Sequence, residues 1–170
     1  MNANQKKKLL AQLVRAQISQ ADFAEALEYL HAHRELAASQ IALRRATLLA
    51  AIVTYCRPFL ESAPGANAES THRLSVSLTK VFDTEEMTLH DSVMRLRNQA
   101  LAHSDHSRDQ MRPRMDGPNE IVTDCETFDL LREPLNLAML ERLVIKMRSN
   151  SQYKVFDLGS ALIEGPDSKA

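Results

Sequence analysis

The chain is poor in glycine, cysteine and tryptophan. Its 170 residues include four glycines, two cysteines and no tryptophan, whereas alanine, leucine, arginine and glutamate are abundant. Because glycine is scarce and good helix formers dominate, we expect an all-α fold, a small helical bundle. The spacing of Cys56 and Cys125 matches neither a disulfide framework nor a zinc knuckle, so we expect both to be free thiols.

The chain also lacks an excess of charge and a long apolar run. Its formal net charge is −1, which excludes a protein that coats nucleic acid over its whole surface. A contact with a polyanion would therefore come from a local basic patch. No window approaches the ~18 uninterrupted apolar residues of a membrane span. Polar residues interrupt the apolar stretch after the lysines at 6–8, so no signal core is expected and we predict a cytoplasmic protein.

Signatures of the common cofactor-dependent enzymes are missing as well. The sequence contains no Gly-rich phosphate loop, no nucleophile elbow and no paired-carboxylate pattern. A metal site that used His90, His103 and His106 would have a looser ligand spacing than zinc sites show. We therefore expect neither a cofactor nor a metal.

The periodicity of apolar residues predicts one helical domain over residues 1–158 and a flexible tail over residues 159–170. The first two predicted helices, over residues 5–18 and 21–34, would form an antiparallel pair. A long central helix is predicted over residues 41–59, where apolar side chains keep to one stripe for five turns.

A helix over residues 84–103 carries acidic residues near its start, where they suit the helix dipole. Thr84 is followed three residues later by Met87 rather than by glutamate, so no strict capping box is expected. An Asp-Gly-Pro-Asn turn signal predicts a short β-hairpin near residues 110–124. A last helix is predicted over residues 134–148, with proline in its first turn.

The candidate functional residues lie late in the helix over residues 84–103. They are Arg97, Asn98 and His103, with five residues between the arginine and the histidine. A guanidinium can hold a phosphate through two parallel hydrogen bonds, and an imidazole can exchange a proton near neutral pH. His103 also continues an apolar stripe of this helix, so an alternative interpretation is a half-buried histidine that closes the helix.

The spacing of Arg97 and His103 restricts how they can act together. Six residues correspond to roughly 120° around a regular helix and about 9 Å along it. A shared site therefore requires the helix to unwind near Ala102, or a second copy to face the first across a two-fold axis. Residues 95–114 hold five arginines against two aspartates, which favours phosphate binding. The candidate substrate-binding residues are Arg95, His106, Arg108, Arg112 and Arg114.

These residues resemble the signature of a known family. They are similar to the motif of the HEPN superfamily. That motif consists of an arginine, a polar residue directly after it and a histidine across four to six positions, late in a helix of a small all-α protein. Residues 89–105 are most similar to HEPN proteins of the abortive-infection type. The resemblance is strong over residues 84–105 and concerns only the architecture elsewhere.

The resemblance implies a homodimer in which the motifs of both chains line one cleft and, in active members, metal-independent cleavage of RNA. His103 would move a proton, Arg97 would stabilise charge on the phosphorus centre, and Asn98 would orient one of them. The expected partners are a second copy, RNA, and an antitoxin or regulatory protein. Two alternatives stay open: a non-catalytic module that binds RNA or a protein, and an inert structural dimer.

Overall fold

A computed structural model describes residues 1–60, 73–101 and 129–164, together with the backbone of two short strands. The described part is dominated by helices, which confirms the predicted all-α class. None of the described helices is long and apolar enough to cross a membrane. The elements in chain order are α1 (Ala3–Glu35), α2 (Ile41–Cys56), α3 (Leu78–Val81), α4 (Thr84–Leu101), β1 (Arg112–Met115), β2 (Ile121–Asp124) and α5 (Leu137–Glu164).

Helix α1 is one uninterrupted helix of 33 residues, so the predicted pair of helices over residues 5–18 and 21–34 is wrong. The polar residues between the two predicted helices do not end α1. Ser19 faces the core with 0% of its surface exposed, and its hydroxyl donates to the carbonyl of Arg15 at 2.8 Å. A serine that bonds to its own helix in this way can be buried without water.

The core lies where α1, α2, α4 and α5 pack against one another. Phe23 of α1 contacts Tyr55 and Phe59, and the ring centroids of the three lie 5.3–6.0 Å apart. Helix α2 confirms the central helix predicted over residues 41–59, except that the last three residues, Arg57–Phe59, form a 3-10 turn. Pro58 lies within this turn, where its missing N–H and fixed φ disfavour a longer α-helix.

Helix α4 begins with a capping box formed by Asp83 and Glu86, one residue before the positions expected from the sequence. Asp83 precedes the helix and accepts a hydrogen bond from the backbone N–H of Glu86 at 2.9 Å. The Glu86 carboxylate accepts in return from the N–H of Asp83 at 3.1 Å. The other carboxylate oxygen of Glu86, which is 6% exposed, accepts from Nζ of Lys146 at 2.5 Å. The start of α4 is therefore tied to the middle of α5.

Helix α5 is longer than predicted, because it continues past residue 148 to Glu164. Residues 159–164, which were expected to belong to a flexible tail, are helical. The polar run after residue 148 does not end the helix: Ser151 is buried, and Val155 packs against the core one turn later. Glu141, near the start of α5, pairs with His31 and Arg34, near the end of α1, so the two long helices are antiparallel.

The two described strands form the hairpin predicted near residues 110–124. They pair antiparallel, with Arg112 opposite Asp124 at one end and Met115 opposite Ile121 at the other. The hairpin follows α4 and precedes α5 in the chain, and its position agrees with the turn signal in the sequence. It is a small addition to a helical protein.

Candidate functional site

Arg97 and Asn98 lie near the end of α4, with Arg97 just before its last turn. The Nη1 group of Arg97 donates a hydrogen bond to Oδ1 of Asn98 at 2.9 Å. Arg97 is half-buried, whereas Asn98 is exposed. This hydrogen bond restricts the long arginine side chain, so Asn98 positions the guanidinium group at the end of the helix.

One donor of Arg97 lacks an acceptor among the described residues. Its Nε atom is buried and makes no hydrogen bond. A buried donor without a partner costs about 1–3 kcal/mol, and more for a charged group. The Nε atoms of Arg15 and Arg44 are in the same state among the described residues, so this feature alone does not distinguish Arg97. An anionic oxygen is the acceptor that a guanidinium binds most strongly.

The thiol of Cys56 lies close enough to Arg97 to be influenced by its charge. Burial raises the pKa of Cys56 to about 12, and the nearby guanidinium lowers it by a smaller amount. The side chain is fully buried, with Sγ 3.9 Å from the carbonyl oxygen of Val93. Since the thiolate is the nucleophilic form, a protonated and enclosed Cys56 contributes packing rather than covalent chemistry.

Arg95 lies on a different side of α4 from Arg97, because two residues correspond to about 200° around a helix. It lines a cleft of about 380 Å³ between α4 and residues 133–139. The carboxylates of Glu85 and Glu133 also line this cleft and would repel a phosphate. The structure therefore does not bring Arg95 and Arg97 together.

The other predicted site residues lie outside the part of the chain whose side chains the structure describes. His103, His106 and Arg108 fall between α4 and β1, and only the backbone is described for Arg112 and Arg114 in β1. The convergence of Arg97 with His103 thus stays a prediction. Within the described ranges, no three His, Cys, Asp or Glu side chains are grouped so that they could hold a metal ion.

A buried tyrosine–histidine pair beside the motif was not found from the sequence. The hydroxyl of Tyr55 lies 2.9 Å from Nδ1 of His90, which is 4% exposed. The ring of Phe59 packs edge-on against His90, with centroids 4.7 Å apart. Burial lowers the pKa of His90, an effect that Asp91 only partly opposes, and burial raises the pKa of Tyr55. Both groups are therefore neutral near pH 7.

A cleft of about 720 Å³ opens beside His90. Phe59, His90 and Met94 line one wall, and residues 73–79, which lead into and include part of α3, line the other. His90 lies seven residues before Arg97, so the two side chains leave α4 within about 20° of each other, roughly 10 Å apart along the axis. This sequence spacing is the signal that could have linked His90 to the motif.

Comparisons with known proteins add no relative: no family model matches the chain, and neither a curated protein nor a solved structure is significantly similar to it.

Proposed function

We propose that the protein is a metal-independent endoribonuclease of HEPN type, a toxin-like or defence protein that acts in the cytoplasm as a homodimer. The observation that carries this proposal is the state of Arg97. Asn98 orients its half-buried guanidinium group near the end of α4. The terminal nitrogens of a guanidinium group placed in this way can donate to the oxygens of a phosphodiester.

In the proposed reaction, His103 moves the proton and Arg97 stabilises the charge. His103 would accept the proton of a ribose 2′-hydroxyl or donate one to the leaving oxygen, while Arg97 would bind the phosphoryl oxygens as charge accumulates. Since a guanidinium keeps its charge at all relevant pH values, Arg97 can do this without a metal. Cys56 takes no part, because its thiol is buried and protonated.

The partner in this proposal is a second copy of the chain. It would place the His103 of one protomer near the Arg97 of the other, which a straight helix cannot do alone. The outer side of α5 supports self-association, since Tyr153, Phe156 and Ile163 are 73%, 72% and 87% exposed. Together these side chains expose on the order of 450 Å² of largely apolar surface, more than half of the ~800 Å² that each partner buries in a standard interface.

The test is cleavage of single-stranded RNA by purified protein in the presence of EDTA. General acid–base catalysis contributes roughly 10²- to 10⁴-fold, so His103→Ala should lower the rate by that factor while circular dichroism stays unchanged. Arg97→Ala should also abolish cleavage. Arg148→Ala removes an exposed arginine from α5 and should cleave like the wild type.

Each alternative outcome contradicts a different part of the proposal. Cleavage that requires a metal, or that survives His103→Ala, would refute the mechanism. RNA binding without cleavage would favour a binding module, for which affinity should fall with salt and with Arg97→Ala and Arg108→Ala alike. Light scattering that finds a monomer for both the wild type and Phe156→Asp would refute the dimer.

A further inference from the structure

The cleft beside His90 has the size and lining of a ligand site. Its volume of about 720 Å³ lies within the ~300–1,000 Å³ that small-molecule sites span. Phe59 and Met94 offer apolar surfaces to a flat ring, and Ser75, Ser77 and Thr79 contribute the hydroxyl-bearing side chains of the opposite wall. Arg73 is the charged side chain that lines the cleft, and no carboxylate of the described residues does.

The buried pair fixes which hydrogen-bonding group His90 can present. Tyr55 is fully buried, and its hydroxyl contacts no other acceptor among the described residues. Because a buried hydroxyl needs an acceptor, Tyr55 donates to Nδ1 of His90. The proton of the neutral imidazole is then on Nε2. His90 can therefore offer the cleft an uncharged N–H donor.

The cleft is placed to take part of a chain that also reaches Arg97. His90, Met94 and Arg97 lie on one side of α4 over two turns. Met94, which lines the cleft, is therefore about one turn from Arg97. An anionic strand whose phosphate binds at Arg97 can place a neighbouring group in the cleft, and the charge of Arg73 favours such a strand.

We propose that this cleft binds one unstacked base of a single-stranded RNA, with Nε2–H of His90 donating to a carbonyl oxygen of that base. The proposal rests on the proposed ribonuclease function, and it names the part of the substrate that the enzyme selects. The ring of the base packs against Phe59 and Met94, as bases do on aromatic and apolar side chains. Uracil, guanine and cytosine carry a carbonyl oxygen on the ring, whereas adenine offers only ring nitrogens as acceptors, so we expect the cleft to bind adenine least well.

The experiment follows the methionine methyl signals of the full-length protein by NMR during titration with UMP and, separately, with AMP. Met94 lines the proposed site, and Met139, which lines the cleft around Arg95, serves as the internal control. We expect UMP to shift the Met94 signal in a saturable manner and to leave Met139 unchanged. AMP should bind roughly two- to tenfold more weakly, since it lacks the carbonyl oxygen to which Nε2–H would donate.

The His90→Phe variant removes the Nε2–H donor and keeps an aromatic ring at the same position. His90→Phe should bring the ratio of UMP to AMP affinity close to one. If this variant does not fold, because the hydroxyl of Tyr55 loses its acceptor, Tyr55→Phe combined with His90→Phe removes both polar groups and answers the same question. Arg73→Gln should weaken both nucleotides and reduce the salt dependence of their binding.

The outcomes separate this inference from the proposed function. If RNA is cleaved in an Arg97-dependent manner but Met94 does not respond to UMP, the cleft proposal is wrong and the ribonuclease proposal stands. If UMP shifts Met94 but the protein cleaves no RNA, the ribonuclease proposal fails and the base site stands. Equal responses of Met94 and Met139, or equal affinity of the wild type for UMP and AMP, would also overturn the inference.

Discussion

The hydrogen bond between Tyr55 and His90 makes a quantitative prediction for stability. Tyr55→Phe keeps the ring contacts with Phe23 and Phe59 but leaves Nδ1 of His90 without its donor. Removing one partner of a buried hydrogen bond costs about 1–2 kcal/mol, which corresponds to a decrease of roughly 2–8 °C in Tm for a chain of this size. Urea unfolding followed by far-UV circular dichroism measures this loss.

The same pair determines part of the pH dependence. Because burial lowers the pKa of His90 in the folded state, the unfolded chain binds a proton that the folded chain excludes, over the range from about pH 6.5 down to the lowered pKa. The contribution of neutral His90 to stability is therefore complete above about pH 6.5 and decreases as the pH falls through that range. The His90→Phe variant should lose this part of the pH dependence, whatever the other histidines contribute.

A double-mutant cycle decides whether the reasoning holds. The Tyr55→Phe, His90→Phe and double variants, compared between about pH 8 and pH 5, should give a coupling free energy of about 1 kcal/mol at the upper end. Two results together would refute both the hydrogen bond and the neutral state of His90. They are a coupling free energy near zero and a loss of stability at acidic pH that is as large for His90→Phe as for the wild type.

Three further predictions concern the elements that position α4. Asp83→Ala removes the cap of α4 and should lower stability by about 1 kcal/mol in urea unfolding, whereas Asp91→Ala, a mid-helix control on the exposed side, should not. Lys146→Met leaves the buried carboxylate of Glu86 without its cation and should lower the free energy of unfolding by about 1–3 kcal/mol. The loss is smaller than for a fully enclosed pair because the lysine is half-exposed, and adding Glu86→Gln should recover part of it. Ile52→Ala empties a fully buried position and should cost about 2–5 kcal/mol, and a change below 1 kcal/mol would show that the core is not packed as described.

Local signals in the sequence predicted the elements but not all of their ends. The central helix and the hairpin were found because their breakers, Pro58 and the Asp-Gly-Pro-Asn turn, act on neighbouring residues. The break predicted in α1 was wrong: Ser19, which lies between the two predicted helices, is buried within one continuous helix, and its hydroxyl bonds to that helix. The capping box was missed because the prediction began the box at Thr84, one residue after the true cap at Asp83.

The candidate site divides in the same way between local and distant information. Arg97 and Asn98 are adjacent in sequence, so their pairing follows from the motif itself. The pair of Tyr55 and His90 spans 35 residues and depends on how α2 packs against α4, which no local pattern encodes. The different sides occupied by Arg95 and Arg97 follow from helical geometry, but the carboxylates that face Arg95 come partly from a distant segment.

The antiparallel pairing of α1 with α5 sets the order in which the protein can fold. Glu141 contacts residues 110 and 107 positions earlier in the chain, so these contacts close a very long loop. A ribosome that adds about 5–20 residues per second needs on the order of 5–20 s to travel from one partner to the other. During that interval the inner surface of α1 has no α5 to cover it. A nascent chain stalled before residue 137 should therefore associate with chaperones, and the chaperones should dissociate from it once α5 has been synthesised.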